Sequence, residues 1–364
     1  MQNLSRRRFI QWSSAGLALA ASSALPGYTH ALSNKKLGVA LVGLGYYSRD
    51  LLAPALQLTE FCELRGIVTG SPEKIPVWQQ RYGIADKNVY NYDNMHEIAN
   101  NPDIDVIYIV VPTGLHLKYA EIAANAGKHV WCEKPMAMTV GQCQRIIDAC
   151  NKNKVKLAVG YRMQHEPNTR AIMQYHQQRP FGEPTGLISQ AGYAGNGADP
   201  DYWRMQKHMG GGAMYDMGVY PLNGARFISG LEPVAVTARH EKSHPDIFTE
   251  VDETTYFTLE FPDELIADCA TSVVKSFNQL RVNCEKGWYQ LAPMQSYSGV
   301  TGKDSKGKIW TPFAGNQQAR QMDNDSLAIL GQGPSLVTGE EGQRDIHIVE
   351  KIFAAAKNGK RMVI

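Results

Sequence analysis

The sequence has no excess of charge of either sign: 37 Lys and Arg stand against 35 Asp and Glu, a formal net charge of +2. Basic residues are scattered except at the very start, so no electrostatic stripe suggests a nucleic-acid partner. The six cysteines (Cys62, Cys132, Cys143, Cys150, Cys269, Cys284) contain no C-x-x-C, and no Cys/His spacing has the pattern of a zinc site. His240 and His244 lie four apart, but on a strand running into a loop they do not share a face, so no metal is expected. The thiols read as buried and unpaired. No internal repeat or low-complexity linker interrupts the chain. With 364 residues, 43% hydrophobic and 20% charged, what remains is a soluble globular protein of two domains.

The basic start has its own meaning. Ser5-Arg6-Arg7-Arg8-Phe9-Ile10 is a twin-arginine pattern, and the small-residue apolar run over 15–25 is too short to span a bilayer as a mature helix. Residues 1–31 therefore read as an export signal, cleaved after Thr29-His30-Ala31 or Ser22-Ser23-Ala24, which leaves no stable membrane anchor and a periplasmic protein. That route carries proteins already folded, often around a cofactor, so export does not oblige the cysteines to pair.

The next absence is a third glycine. A buried-strand run over 37–42 leads directly into Gly43-Leu44-Gly45-Tyr46-Tyr47-Ser48, a G-x-G-x-x-S turn that opens a helix near 49–58. Glycines at 43 and 45 let backbone N–H groups approach a pyrophosphate at the helix N-terminus. The second strand, 63–68, ends without the carboxylate that would hold the ribose hydroxyls of NAD; Thr69-Gly70-Ser71 and then Lys74 stand there instead. Small hydroxyl residues and a lysine suit a 2′-phosphate, so NADP is expected over NAD. Helices over 72–82, 94–99 and 116–126 alternate with strands over 105–111 and 129–132, and a helix over 139–151 with Thr139 as N-cap precedes a strand over 156–160. The alternation predicts an α/β domain, 37–160, with a mainly parallel sheet covered on both faces.

The strand over 129–132 stops at Glu133-Lys134-Pro135, and the carboxyl ends of parallel strands are where ligands sit in such sheets. Lys134 is therefore a candidate catalytic group. After Tyr161 the pattern changes: a helix over 168–177, strands over 185–193, 234–240, 254–261, 265–274 and 280–285, a helix over 213–228, and closing helices over 317–330 and 340–357. These residues, 161–364, predict an α+β domain with a large, mostly antiparallel open sheet, one face covered by helices. On the 213–228 helix, which follows Gly210-Gly211-Gly212, Asp216 and Tyr220 lie four apart and share a face. A phenol becomes a useful base only when its ordinary pKa of about 10 is pulled toward neutrality. An ammonium about 4 Å away, in an effective dielectric near 20, supplies on the order of 4 kcal/mol toward that. Tyr220 and Lys134 would make such an acid/base pair, with Asp216 orienting a sugar hydroxyl or the lysine.

GLG after the first strand, EKPMA after the strand over 129–132, GYR at 160–162, GGGAMYDMGVYPLNGARF at 210–227 and the closing E-E-G-x-x-D at 340–345 together resemble the Gfo/Idh/MocA oxidoreductases. Among them the chain is most similar to the periplasmic glucose-fructose and aldose-aldose enzymes. The resemblance implies a Rossmann NADP-binding domain and a second domain that serves substrate binding and assembly into homodimers or homotetramers. It makes Lys134, Asp216 and Tyr220 the catalytic set. Gly43, Leu44, Gly45, Tyr46, Tyr47, Thr69, Gly70, Ser71, Lys74, Pro112, His116, Glu133, Lys134 and Arg162 would line the cofactor cleft. Tyr161, Trp203, Arg204 and Tyr297 would touch a mono- or disaccharide. The expected reaction is oxidation of an aldose at C1 to a lactone, with tightly bound NADP reoxidised in place by a second sugar. The rivals are an ordinary enzyme with dissociable NADP and an NAD-dependent glycoside hydrolase on the same fold. One departure is that only about five residues separate Ala31 from the first strand, where glucose-fructose enzymes carry a long proline-rich arm.

Overall fold

The computed structural model describes residues 35–195 and 202–364, so the export signal lies outside the described residues. Six strands, β1 (Leu37–Val42), β2 (Cys62–Val68), β3 (Val89–Tyr90), β4 (Val106–Ile109), β5 (His129–Cys132) and β6 (Leu157–Val159), form one sheet in the order β3-β2-β1-β4-β5-β6, every pair parallel. That is the doubly wound order whose chain reversal lies between β1 and β4, and the crevice beyond their carboxyl ends is the ligand position of the fold. Burial on both faces explains the near-continuous apolar strands: Val39 to Val42 and Val106 to Ile109 have no solvent exposure. The expected helix after β1 is split into a π-turn, Ser48–Leu52, and a single α-turn, Ala53–Ala55, started by Pro54. The helix after β5 is Val140–Lys152, and the Thr139 side chain caps it by accepting from the Gln142 N–H.

The second sheet has nine strands: β7 (Pro184–Ala194), β8 (Ala235–Glu241), β9 (Thr254–Glu260), β10 (Ile266–Ser272), β11 (Val274–Cys284), β12 (Gly287–Leu291), β13 (Gly302–Asp304), β14 (Ile309–Trp310) and β15 (Met362–Val363), in the order β14-β13-β12-β11-β7-β10-β9-β8-β15. It is antiparallel except where β7 and β10 run side by side in the same direction. Strand alternation sorts its two faces. Leu187, Ala191, Phe257, Leu259, Leu280 and Val282 are buried under the helices, while Gln190, Tyr256, Arg281 and Trp288 stand on the open face.

Arg226 on the helix Val219–Ser229 is 3% exposed and joins that helix to the closing helix Gly339–Asn358 through Asp345 and Glu341. The E-E-G-x-x-D motif is thereby a structural tie. Its glycine, Gly342, has room for no side chain: a Cβ there would lie 3.0 Å from Val159 and 3.2 Å from Met136. The closing helix thus packs against the β6 end of the parallel sheet. The six cysteines are all free, and five of them are buried.

Candidate active site

The first turn is set by sterics. Gly43 has φ +92°, and a Cβ there would lie 2.7 Å from the Val110 carbonyl oxygen at the end of β4. Ser48, in the place of the third glycine, donates to the Gly43 carbonyl at 2.6 Å and fixes the loop from within. Around Gly45 there is open space, Leu44 turns its side chain into the core, and Tyr46 is 59% exposed. At the end of β2, the Ser71 N–H donates to the Thr69 hydroxyl at 3.0 Å, and Lys74 Nζ donates to the Leu44 carbonyl at 3.3 Å. A cation therefore hangs over the glycine turn where an NAD site would carry a carboxylate. Gly70 packs under the Tyr92 ring. These residues fit a dinucleotide with a 2′-phosphate: a turn stripped of side chains for the pyrophosphate, and a lysine beside the ribose position.

Pro112 opens a short 3-10 turn whose Leu115 N–H returns to the Pro112 carbonyl at 2.8 Å. His116, expected at the cofactor, is instead 1% exposed, with Nδ1 3.0 Å from the Pro135 carbonyl and Nε2 2.8 Å from the Val111 carbonyl. Both ring nitrogens face main-chain carbonyls, one of them as the N–H donor, so the ring ties the ends of β4 and β5 together behind the crevice. Burial pulls its pKa below the ordinary histidine value.

Lys134 leaves the end of β5 and donates from Nζ to the Asp216 main-chain carbonyl at 2.8 Å, with Nζ over the Tyr220 ring 4.6 Å from its centre. The expected trio is therefore brought together, with one correction. Asp216 holds the lysine through its main chain and not its carboxylate. The carboxylate turns the other way, accepting from Tyr193 Oη at 3.0 Å and pairing with Arg204 Nε at 3.1 Å. The physical reason is local: Met214–Gly218 is a π-turn preceding the α-helix, which changes the rotation per residue between 216 and 220 from that of a plain helix. The glycines before it are a matter of space. Gly212 has φ +99°, and a Cβ there would lie 2.3 Å from Asp252 Oδ1, while Asp252 Oδ2 accepts the Met214 N–H at 2.9 Å.

Glu133 lies beneath this group, 8% exposed, accepting from Tyr108 Oη at 2.6 Å and from the Lys134 N–H at 3.2 Å. Burial pushes its pKa up to about 7, against the Tyr108 hydrogen bond and the charges of Lys134 and Arg162. Tyr47 faces the same pocket, its ring centre 5.8 Å from that of Tyr297, and burial with the Glu133 charge raises its pKa.

Two further expectations are corrected. Arg162 is 1% exposed and spends its guanidinium on the carbonyls of Gln295 and Ser296 and on Gln317 Oε1. Its Cζ lies 4.7 Å from the Tyr297 ring centre and 5.6 Å from that of Tyr220. Through Nη1 and Nη2 it braces the crevice wall, while its Nε is buried without a protein partner among the described residues. Tyr161 is also 1% exposed and hydrogen-bonds Asp345 in the structural tie, so it cannot touch a sugar. Trp203, Arg204 and Tyr297 stay at the surface of the crevice: Arg204 Cζ lies 4.4 Å from the Trp203 ring, and Tyr297 is 42% exposed. Sequence reasoning missed Tyr193 and Tyr202, exposed aromatics that hydrogen-bond the Asp216–Arg204 pair, and the buried Tyr108. Nothing in their local sequence marks them, since each sits in an otherwise ordinary strand or loop. The arrangement has a flat aromatic rim, acceptors and donors for hydroxyl groups, and a lysine-tyrosine-glutamate set that can hold or move a proton. Among the described residues no cluster could hold a metal ion.

Residues 37–161 match the model of an oxidoreductase family with an NAD-binding Rossmann fold, and residues 169–290 match the GFO/IDH/MocA C-terminal domain. The crystal structure of an aldose-aldose oxidoreductase from Caulobacter crescentus, complexed with glycerol, is 34% identical, superposes with a TM-score of 0.86, and covers 91% of this chain and 100% of its own. A D-xylose 1-dehydrogenase [NADP(+)] from Haloarcula marismortui is 27% identical over 333 residues, 87% of this chain and 90% of that protein. A 3-ketoreductase from Actinomadura kijaniata, in complex with TDP-benzene and NADP, shares the fold at 20% identity and a TM-score of 0.76, with coverage of 88% and 98%.

Proposed function

The chain belongs to the Gfo/Idh/MocA oxidoreductase family, and on that premise we propose an exported, NADP-dependent sugar oxidoreductase. It oxidises an aldose at C1 to the lactone and returns the hydride to a second sugar without releasing the nucleotide. The observation that carries the reading is the convergence of Lys134, Asp216 and Tyr220 at the carboxyl end of β5. When bound, the nicotinamide supplies the hydride acceptor. The protein supplies proton management and orientation. Tyr220 takes the anomeric hydroxyl proton, and the Lys134 ammonium over its ring stabilises the negative charge that develops. Asp216, oriented by Tyr193 and Arg204, accepts from a neighbouring sugar hydroxyl. Tyr202, Trp203 and Tyr297 offer faces to the C–H surfaces of the ring.

Lys74 above the glycine turn, with no carboxylate at 69–71, supports NADP as the nucleotide. The Haloarcula relative, named for the same cofactor, is consistent with that choice. The twin-arginine pattern supports export to the periplasm, where free nucleotide is scarce, and that scarcity is the argument for a cofactor that stays bound and cycles between two sugars. We assign the open face of the nine-stranded sheet to pairing into homodimers or homotetramers, since it carries Arg281 stacked on Trp288 at 4.1 Å and Arg239 on Tyr256 at 4.1 Å.

The test is to purify the protein from cytoplasm without added nucleotide and follow the absorbance of reduced nicotinamide. A rise on adding one aldose, and decay on adding a second sugar, is the expected result. Protein free of nucleotide that works only with added NADP refutes the two-sugar cycle. Release of aglycone from a nitrophenyl glycoside, without a net redox change, refutes the oxidoreductase reading.

A further inference from the structure

A second cavity, about 240 Å³, opens near the amino ends of the parallel strands, away from the crevice. Trp131, Ala158 and Asp325 lie on its inner side, and Asn151, Lys156 and Glu340 on its outer side. Asp325 is 3% exposed, and its Oδ2 has no hydrogen-bond partner. It lies on the helix Gln317–Ile329, where Gln317, Gln321 and Asp325 recur every four residues and so form one inward-facing row. The row starts at the crevice, where Gln317 accepts from Arg162 at 2.6 Å. In its middle, Gln321 Nε2 donates to Tyr108 Oη at 3.1 Å, and Tyr108 Oη donates to Glu133 at 2.6 Å. All four members, Glu133, Tyr108, Gln321 and Asp325, are buried. The last link is between Gln321 and Asp325, one helical turn apart, where the Gln321 side chain favours the ionised carboxylate against the effect of burial. The two atoms left over, Gln321 Oε1 and Asp325 Oδ2, are both acceptors without a donor.

We propose that Glu133, Tyr108, Gln321 and Asp325 form a one-proton relay between the crevice and this cavity, so that each proton taken up at Glu133 is matched by one released from Asp325. The chain of hydrogen bonds has two settings. In the first, Asp325 is protonated, the Gln321 amide donates to Tyr108, and Tyr108 donates to ionised Glu133. In the second, Glu133 is protonated and donates to Tyr108, whose hydroxyl donates to the turned Gln321 carbonyl, and the Gln321 amide donates to ionised Asp325. Passing from the first to the second takes one proton in at the crevice and gives one up to water in the cavity. No bond to carbon changes. The amide turns and never carries the proton itself. As the source of the proton, the relay rests on the sugar-oxidising reading above: oxidation of a hydroxyl frees one proton per turnover.

The charged surroundings suit the two ends. Glu133 is faced by Tyr47, Lys134, Arg162 and Tyr297, and Asp325 by Lys156 and Glu340 at the cavity. Burial raises both carboxyls toward neutrality, Glu133 to about 7 and Asp325 to about 8, so both can exchange protons where the enzyme works.

The test needs no substrate. The infrared C=O band of a protonated carboxyl that Asp325→Asn deletes is titrated in the otherwise native protein, in Glu133→Gln, in Tyr108→Phe and in the double variant. Glu133→Gln removes the anion that favours the first setting, so the Asp325 midpoint should fall by about one pH unit, the coupling at which two sites cease to titrate independently. In the Tyr108→Phe background the same substitution should move it by much less. An Asp325 midpoint indifferent to Glu133→Gln, or moved equally with and without the Tyr108 hydroxyl, overturns the relay. Gln321→Leu breaks the chain at a second point should Tyr108→Phe fail to fold. In turnover, Asp325→Asn should shift the pH profile of sugar oxidation while leaving KM in place, and an unchanged profile overturns the relay's part in the reaction. Coupling in the infrared with no sugar oxidised would leave the relay standing and remove the function proposed for the protein.

Discussion

Replacing Lys134 by methionine separates what the lysine does for the fold from what it does for the reaction. Methionine keeps much of the apolar stem and removes the ammonium. In the folded protein two contacts are lost: the charged hydrogen bond to the Asp216 carbonyl at 2.8 Å and the ammonium over the Tyr220 ring at 4.6 Å. The first is worth about 1.5–3 kcal/mol and the second about 0.5–2 kcal/mol, both offset by the desolvation cost of a half-buried ammonium that no longer has to be met. The net loss of stability should therefore be about 1–2 kcal/mol, visible as a fall of a few degrees in melting temperature. The chemical loss should be larger. Positioned acid–base catalysis contributes about 10²–10⁴-fold, equivalent to about 2.7–5.5 kcal/mol at the transition state. The assay is single-turnover reduction of the bound nicotinamide by an aldose, read beside a melting curve of the same preparation. A rate loss that exceeds the stability loss in free-energy terms supports the catalytic role. A lowered melting temperature with a near-native rate would refute it and leave Lys134 as a brace for the π-turn at Met214–Gly218.

Four further outcomes are expected. Tyr220→Phe keeps the ring under the Lys134 ammonium and deletes only the hydroxyl, so nucleotide content and melting should stay near native while the hydride step falls about 10²-fold or more, measured by stopped-flow absorbance. Lys74→Glu should weaken NADP by about 10–100-fold and NAD far less, checked by dissociation constants for the two nucleotides, since the side chain at the glycine turn changes from attracting a 2′-phosphate to repelling it. Arg162→Met leaves the Gln295 carbonyl and the Gln317 side-chain oxygen without their donor, the Ser296 carbonyl keeping that from Gln317 Nε2, and should cost about 3 kcal/mol or more in unfolding free energy by denaturant titration. Asp325 has a folded pKa of about 8, above its ordinary value, so the native state binds its proton more tightly than the unfolded chain does. Its contribution is intact in acid and is lost as pH rises toward about 8. Asp325→Asn should accordingly gain stability relative to the native protein as pH rises, by up to on the order of 5 kcal/mol above pH 8, read from melting curves across pH.

Much of the parallel half was legible because its signals are local. The strand over 129–132 and the cap at Thr139 are where residue pattern puts them, and the alternation of apolar strand and helix corresponds to the all-parallel sheet observed. What was hidden depends on distant parts of the chain. The parallel contact of β7 with β10 joins residues about 80 apart, and the short strands β12 to β15 carry too few residues for a period to emerge. At the site, residue type and spacing singled out Lys134, Asp216 and Tyr220, which the fold brings together, but not which atom of Asp216 meets the lysine, because a π-turn has no sequence signature in the spacing. Tyr161, Arg162 and His116 are assigned to ligands through the family resemblance. Each is instead held among protein partners, and burial, which a sequence does not print, decided the matter.

The two atoms that Asp216 presents have separate duties, and that separation bears on how such an enzyme can change. The lysine is held by a main-chain carbonyl, which every amino acid possesses, so its placement survives any replacement of the side chain that preserves the turn. The carboxylate turns away from the lysine to Tyr193 and Arg204, and in the proposed reaction it serves the sugar alone. Selection can therefore rewrite the hydroxyl pattern this pocket accepts, at positions 193, 204 and 216, while the proton-handling group stays in register with the nicotinamide. A lineage built on this arrangement can spread across many sugars with one unchanged chemical step.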